Sequence, residues 1–198
     1  MQRQTPSQTI GPFFGFSLVP EQYGFAGTSI ASGTMVTDDA SGQRIRIVGR
    51  VFDGAGAVIP DALIEIWQAD ATGRCDGFTS KPPSGPSDAP FTGFGRVGTG
   101  ARSDGRFEFE TVKPGSVDGL QAPHLQVTLF MRGLLRHVAT RIYFADEQEA
   151  NLRDPVLSAV PRGRRDTLIA RCNDSRSSRT YSFDIHMQGE RETVFFDV

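Results

Sequence analysis

The thiols and imidazoles that could bind a metal, attack a substrate or move a proton are few in this sequence: Cys75 and Cys172, and His124, His137 and His186. The two cysteines lie far apart and match no metal-ligand spacing, so they read as two thiols. His137 and His186 fall in strand-like patterns and read as surface or core residues. No nucleophile, general base or metal set assembles from these residues, and by themselves they identify no chemistry.

The elements that would hold such residues are short. The chain has 198 residues, which suits one domain with a core large enough to need no metal or disulfide. Hydrophobic residues make up 38% and charged residues 22%, the balance of an ordinary globular protein. A net charge of -2 argues against nucleic acid or an anionic membrane as partner. No apolar run approaches the roughly 18 residues a membrane helix needs. The opening residues lack the charged-then-apolar order of an export signal, so a reducing cytoplasm is expected. With 22 glycines and 12 prolines the chain suits many short strands joined by turns.

Residues 1–43 show no sustained period. Phe13, Phe14 and Phe16 beside Gly11-Pro12 suit either an arm that lays rings into a groove or a cap on this domain's own core. From Arg44 the pattern is β: Ile45, Ile47, Gly49 and Val51 share one face. Residues 62–68 predict a strand apolar on both sides, central in a two-layer sandwich. Residues 70–100 predict loop, broken by Pro82-Pro83 and Gly85-Pro86. Strands follow at 106–110, 124–130 and 137–144, the last two forming a hairpin around Arg132-Gly133. Asp146 is expected to cap a helix over 146–152 that Asp154-Pro155 ends. Strands around 181–187 and 193–196 close an all-β sandwich with one or two short helices.

Several stretches together resemble the intradiol ring-cleaving dioxygenases. They are Ile64-Glu-Ile-Trp-Gln-Ala-Asp-Ala71, Gly95-Arg-Val97 with Ser103-Asp-Gly-Arg-Phe-Glu-Phe109, and Thr111-Val-Lys-Pro-Gly115. His124-Leu-Gln126, Thr140-Arg-Ile-Tyr-Phe144 and Asp154-Pro155 continue the series in order and spacing. The opening Thr5-Pro-Ser-Gln-Thr-Ile-Gly-Pro-Phe13 is similar to the start of protocatechuate 3,4-dioxygenase subunits, one branch of that family. Each piece alone is a weak signal; all of them in register are a strong one, and they span nearly the whole chain.

The resemblance implies a β-sandwich of the intradiol type and, in catalytic members, a ferric ion held by two tyrosines and two histidines. A hard ferric ion favours phenolate oxygen. The matching positions here are Cys75, Val117, His124 and Gln126. Valine has no donor and a neutral amide is a poor imidazole substitute, so the resemblance implies no metal ligand and no catalytic residue on this chain. It implies instead an α-type subunit whose partner β chain carries Fe(III), the complex cleaving protocatechuate with O2 to 3-carboxy-cis,cis-muconate in the β-ketoadipate route.

On that reading residues 1–43 are an arm packing on the partner and residues 44–198 the sandwich domain. Thr9, Gly11 and Pro12 would form pocket wall, since glycine admits close backbone approach and proline holds it rigid. Arg132 is the first candidate for meeting the substrate carboxylate. Arg141 is the second, although its strand position favours a structural ion pair. Two competitors predict different things. A non-enzymatic β-sandwich binding module would function alone, and a self-sufficient enzyme built on Cys75 and His124 would carry its own metal.

Overall fold

The computed structural model describes residues 13–26, 29–75, 90–174 and 179–197. Nine strands fall among them: β1 (Arg44–Phe52), β2 (Leu63–Trp67), β3 (Phe94–Gly98), β4 (Arg106–Val112), β5 (His124–Phe130), β6 (Val138–Phe144), β7 (Ile169–Asp174), β8 (Arg179–Ser182) and β9 (Ile185–His186). They form one continuous path, β3-β2-β5-β6-β7-β8-β1-β4, with β9 beside β1. The path folds into two layers where Tyr143 and Phe144 of β6 pair in parallel with Ile169 and Ala170 of β7. Most other pairings are antiparallel, including the β5–β6 hairpin with Leu125 opposite Ile142.

Alternation decides which residues enter the core. In β1 the burial pattern switches at every residue, placing Ile45, Ile47 and Val51 inside. They meet Ile64 and Ile66 of β2, Phe107 and Phe109 of β4, and Leu125, Val127 and Leu129 of β5. Each such side chain contributes about 1.5–3 kcal/mol through burial. Gly49 shares the inward face because the chain between β8 and β9 crosses there. A Cβ at Gly49 would stand 1.8 Å from the Phe183 carbonyl oxygen.

The segment Ser32 to Thr37 closes the seam between edge strands β3 and β4. Met35 N–H donates to Glu110 O at 2.9 Å and Glu110 N–H to Gly33 O at 2.8 Å on one side. Thr92 N–H donates to Met35 O at 2.9 Å and Arg96 N–H to Ser32 O at 3.1 Å on the other. Both edges thereby find backbone partners, which removes templates for aggregation. Met35 and Val36 are buried by this strap, and Val19 is buried as well. Within residues 1–43, the strap of Ser32 to Thr37 therefore packs on this chain's own strands.

Several elements depart from the sequence expectation. The expected loop over 70–100 contains β3 and a 3-10 turn, Thr99–Ala101. Its glycines hid the strand, yet they are what lets it form, since a Cβ on Gly95 would stand 2.8 Å from the Met35 sulfur. Among the described residues there are three short α-helices, α1 (Phe13–Leu18), α2 (Gln148–Arg153) and α3 (Pro155–Ala159). Asp146 caps none of them. Its carboxylate accepts from Lys113 Nζ at 2.8 Å, Arg179 Nη1 at 2.9 Å and the Tyr181 hydroxyl at 3.0 Å. The expected last strand over 193–196 makes only the bridge between Ala139 and Phe196, and β7 was missed.

Candidate functional site

The four positions where the resemblance looks for metal donors sit on two loops and the head of β5. The first loop, after β2, is wound around Asp70. Its Oδ1 accepts from Thr72 N–H at 2.8 Å and Arg74 N–H at 3.0 Å, and its carbonyl accepts from Gly73 N–H at 3.0 Å. Burial alone would raise the Asp70 pKa; the hydrogen bonds from Thr72 and Arg74 outweigh it and hold the carboxyl below its usual range. The second loop docks on the first, with Gly115 N–H donating to Asp70 O at 2.9 Å. Gly73 has φ +86°, and a Cβ there would stand 2.0 Å from Ser116 O, so only glycine permits this approach.

The family-like motifs gain physical roles here. Buried Gln68 ties the end of β2 to β4, donating to Val112 O at 2.9 Å and accepting from Thr111 Oγ1 at 2.8 Å. Lys113 reaches Asp146 at 2.8 Å and Glu147 at 2.5 Å while lying over the Phe144 ring. These contacts fix the start of the second loop against the sheet.

The donor positions themselves are poorly furnished. Cys75, on the first loop, is exposed. Val117 is half-buried and bridges to Gln121 in the second. Gln126 is exposed on β5, between Trp67 of β2 and Arg141 of β6. His124 is 6% exposed, and its Nδ1 lies 2.8 Å from Ala122 O, so that nitrogen carries the proton and donates. Burial first, and then Arg141, lower the His124 pKa and keep the ring neutral. Among the described residues no group of three or more His, Cys, Asp or Glu side chains could hold a metal ion. A valine, a neutral amide and an exposed thiol do not complete a ferric site around the one imidazole, whose Nε2 lone pair is the single family-type donor at these four positions.

What fills the site is a hydrogen-bond network that the sequence reading missed. Asp154 is 0% exposed. It accepts from Ala122 N–H at 2.9 Å, from Leu157 N–H at 2.7 Å as the cap of α3, and from the Tyr143 hydroxyl at 3.1 Å. Burial pushes the Tyr143 phenol up to about 12, so it stays a proton donor. Arg141 Nη1 donates to Gln121 Oε1 at 2.9 Å and to the Tyr143 oxygen at 3.3 Å. The expected carboxylate partner of Arg141 is thus replaced by two neutral groups. Asp154-Pro155 was legible as a helix boundary, but nothing local marks its carboxylate as the hub of three elements.

Of the residues expected to bind substrate, Thr9, Gly11 and Pro12 lie outside the described residues. Arg132 opens the turn between β5 and β6, 62% exposed, and its Nε–H donates to Asp61 Oδ2. It stands at the opposite end of β5 from His124. His137 packs on the Phe130 ring and His186 stacks on Phe52, neither near the Asp154 network.

A family model described as "Dioxygenase" matches residues 22–189. The chain is 48% identical over 201 residues to the protocatechuate 3,4-dioxygenase alpha chain of Burkholderia cepacia, covering 99% of this chain and 98% of that one. It is 38% identical over 200 residues to the alpha chain of Pseudomonas putida, covering 98% and 96%. Against the beta chain of Burkholderia cepacia the identity is 32% over 162 residues, covering 77% and 67%. In fold, it matches an intradiol ring-cleavage dioxygenase from Tetranychus urticae with a TM-score of 0.57 at 21% identity, covering 93% and 94%. It matches 3-chlorocatechol 1,2-dioxygenase from Rhodococcus opacus 1CP with a TM-score of 0.59 at 24% identity, covering 77% and 63%. A family match over most of the chain, relatives along its full length and a shared sandwich agree: this chain belongs to the intradiol dioxygenase family.

Proposed function

We propose that this chain is the α subunit of a protocatechuate 3,4-dioxygenase, a cytoplasmic oxidoreductase working as an αβ hetero-oligomer. The complex cleaves protocatechuate between its hydroxylated carbons, both atoms of O2 entering the product 3-carboxy-cis,cis-muconate. Iron chemistry resides on the β chain, which supplies the donors that this chain lacks. The observation that carries the reading is the occupancy of the four donor positions by Cys75, Val117, His124 and Gln126 in a chain so similar to α chains. A non-enzymatic binding module gives no account of that similarity. The exposed thiol of Cys75 suits a reducing compartment.

This chain contributes surface. Thr9, Gly11 and Pro12 would line the partner's substrate pocket, and Arg132 would face the substrate carboxylate. Support for Arg132 is its exposure and its position. The turn it opens meets Asp61, close to the platform on which the N-terminal segment rests.

Co-expression with a cognate β chain tests the assignment. The expected product is a coloured, active complex with one iron per αβ pair, whereas this chain alone yields a colourless protein without stoichiometric metal. Iron bound at one equivalent by this chain alone would overturn it.

A further inference from the structure

We propose that Asp61 is a positioning residue for Arg132, aiming its guanidinium outward as part of the wall this chain lends to its partner's pocket. The inference rests on the α-subunit reading above and deepens it. Arg132 uses its Nε–H on Asp61 Oδ2, and the guanidinium has four further N–H donors. A carboxylate is well matched by two parallel N–H groups on such a plane, but only if the plane is held still. An arginine on an open turn is otherwise free to rotate, and Gly133, at φ +85°, follows it directly.

Asp61 can hold the arginine because its own backbone is clamped. Thr99 is fully buried, and its hydroxyl donates to Ile59 O at 2.7 Å and accepts from Ala62 N–H at 3.0 Å. Thr99 N–H in turn donates to Ala62 O at 2.9 Å. One side chain therefore braces the residues flanking Pro60 and Asp61 on both sides.

The same 3-10 turn, Thr99–Ala101, receives the N-terminal segment. Gly98 N–H donates to Gln22 Oε1 at 3.1 Å. A Cβ built on Gly100 would stand 2.9 Å from Pro60 O and 3.8 Å from the Tyr23 ring. A Cβ on Gly15 of α1 would meet the Tyr23 hydroxyl at 2.6 Å. Burial and then the Asp61 charge raise the Tyr23 pKa, consistent with that proximity. The root of the N-terminal arm and Arg132 thus share one platform, with Asp61 between them. α1 begins at Phe13, the residue that follows Pro12 in the sequence.

The ligand class served is an aromatic carboxylate, and steady-state kinetics of the co-purified complex with protocatechuate test the role. Arg132→Ala should raise KM about tenfold, the effect of losing one charge-assisted contact of about 1.4 kcal/mol, with kcat within about twofold. Asp61→Ala should raise KM about fivefold with the same kcat, because the guanidinium is no longer held. Asp61→Asn should recover most of that loss, since its amide oxygen accepts the same Nε–H without the charge. If Asp61→Ala and Asp61→Asn both lower KM, Asp61 merely neutralises the arginine and the proposal falls. It falls equally if both leave KM unmoved while Arg132→Ala raises it, or if Asp61→Ala lowers kcat and iron content together. An unaltered KM in Arg132→Ala would remove the arginine's role and the proposal with it. No active complex in the wild type would instead sink the subunit assignment on which both stand.

Discussion

At the scale of single residues, the four donor positions hold one imidazole beside a thiol, a valine and an amide. His124 donates Nδ1–H to Ala122 O within a nearly solvent-free environment. Its pKa is lowered below the ordinary 6.5, first by burial and then by Arg141. The unfolded chain therefore holds that proton more tightly than the folded one. Stability contributed by neutral His124 is complete above pH 6.5 and is lost as pH falls through the depressed folded value. Each tenfold difference in proton affinity is worth about 1.4 kcal/mol. Urea unfolding of the full chain and of His124→Gln, from about pH 8 to about pH 5, should show the wild type losing stability faster as acid is added. A difference that stays constant across that range would mean the imidazole does not titrate against folding. The valine at 117 and the amide at 126 were legible in the sequence, because no fold gives a valine a donor atom. The Asp154 network was not, because its members Ala122, Tyr143, Leu157 and Asp154 come from a loop, a strand and a helix.

At the scale of elements, clean alternation was readable and mixed patterns were not. β1 and β5 lie where the sequence places them because one face is buried along their whole length. β3 has glycines at two of five positions and forms because β2 pairs with it on one edge and the strap of Ser32 to Thr37 on the other. Asp146 read as a helix cap but is taken by Lys113 and Arg179, charged partners contributed from 33 residues away on each side. The strap predicts a sharp sensitivity at Gly33, where a Cβ would stand 2.5 Å from Glu108 O and 2.7 Å from Val97 Cγ1. Gly33→Ala should cost about 2 kcal/mol, seen as a lower urea midpoint. Light scattering should rise as well, because the unsealed edges of β3 and β4 can pair with other molecules. A stable, monodisperse Gly33→Ala chain would show that the strap is not needed to close the seam.

At the scale of the whole molecule, the sandwich is complete, yet large apolar side chains remain outside it. Phe25 and Ile30 are exposed on the N-terminal segment, Leu120 on the second loop, Leu135 in the β5–β6 turn and Leu152 on α2. A chain that pairs with a homologous partner would cover part of such surface. Binding to the native state alone stabilises it by about 2.7 kcal/mol when the partner stands at a hundred times its Kd. The Tm of this chain should therefore climb as β chain is added, and a Tm indifferent to the partner would argue against the shared interface.

The family, the strand-rich fold and the missing donors follow from residue identity and from periods of two that can be counted without a structure. Which residues partner one another emerges only in the folded chain. The strap between edge strands, the Asp154 network and the pairing of Asp61 with Arg132, 71 residues apart, join positions with no common period. Long-range contacts leave no local trace, because the chain's only constraint on them is that the two groups end up adjacent after folding.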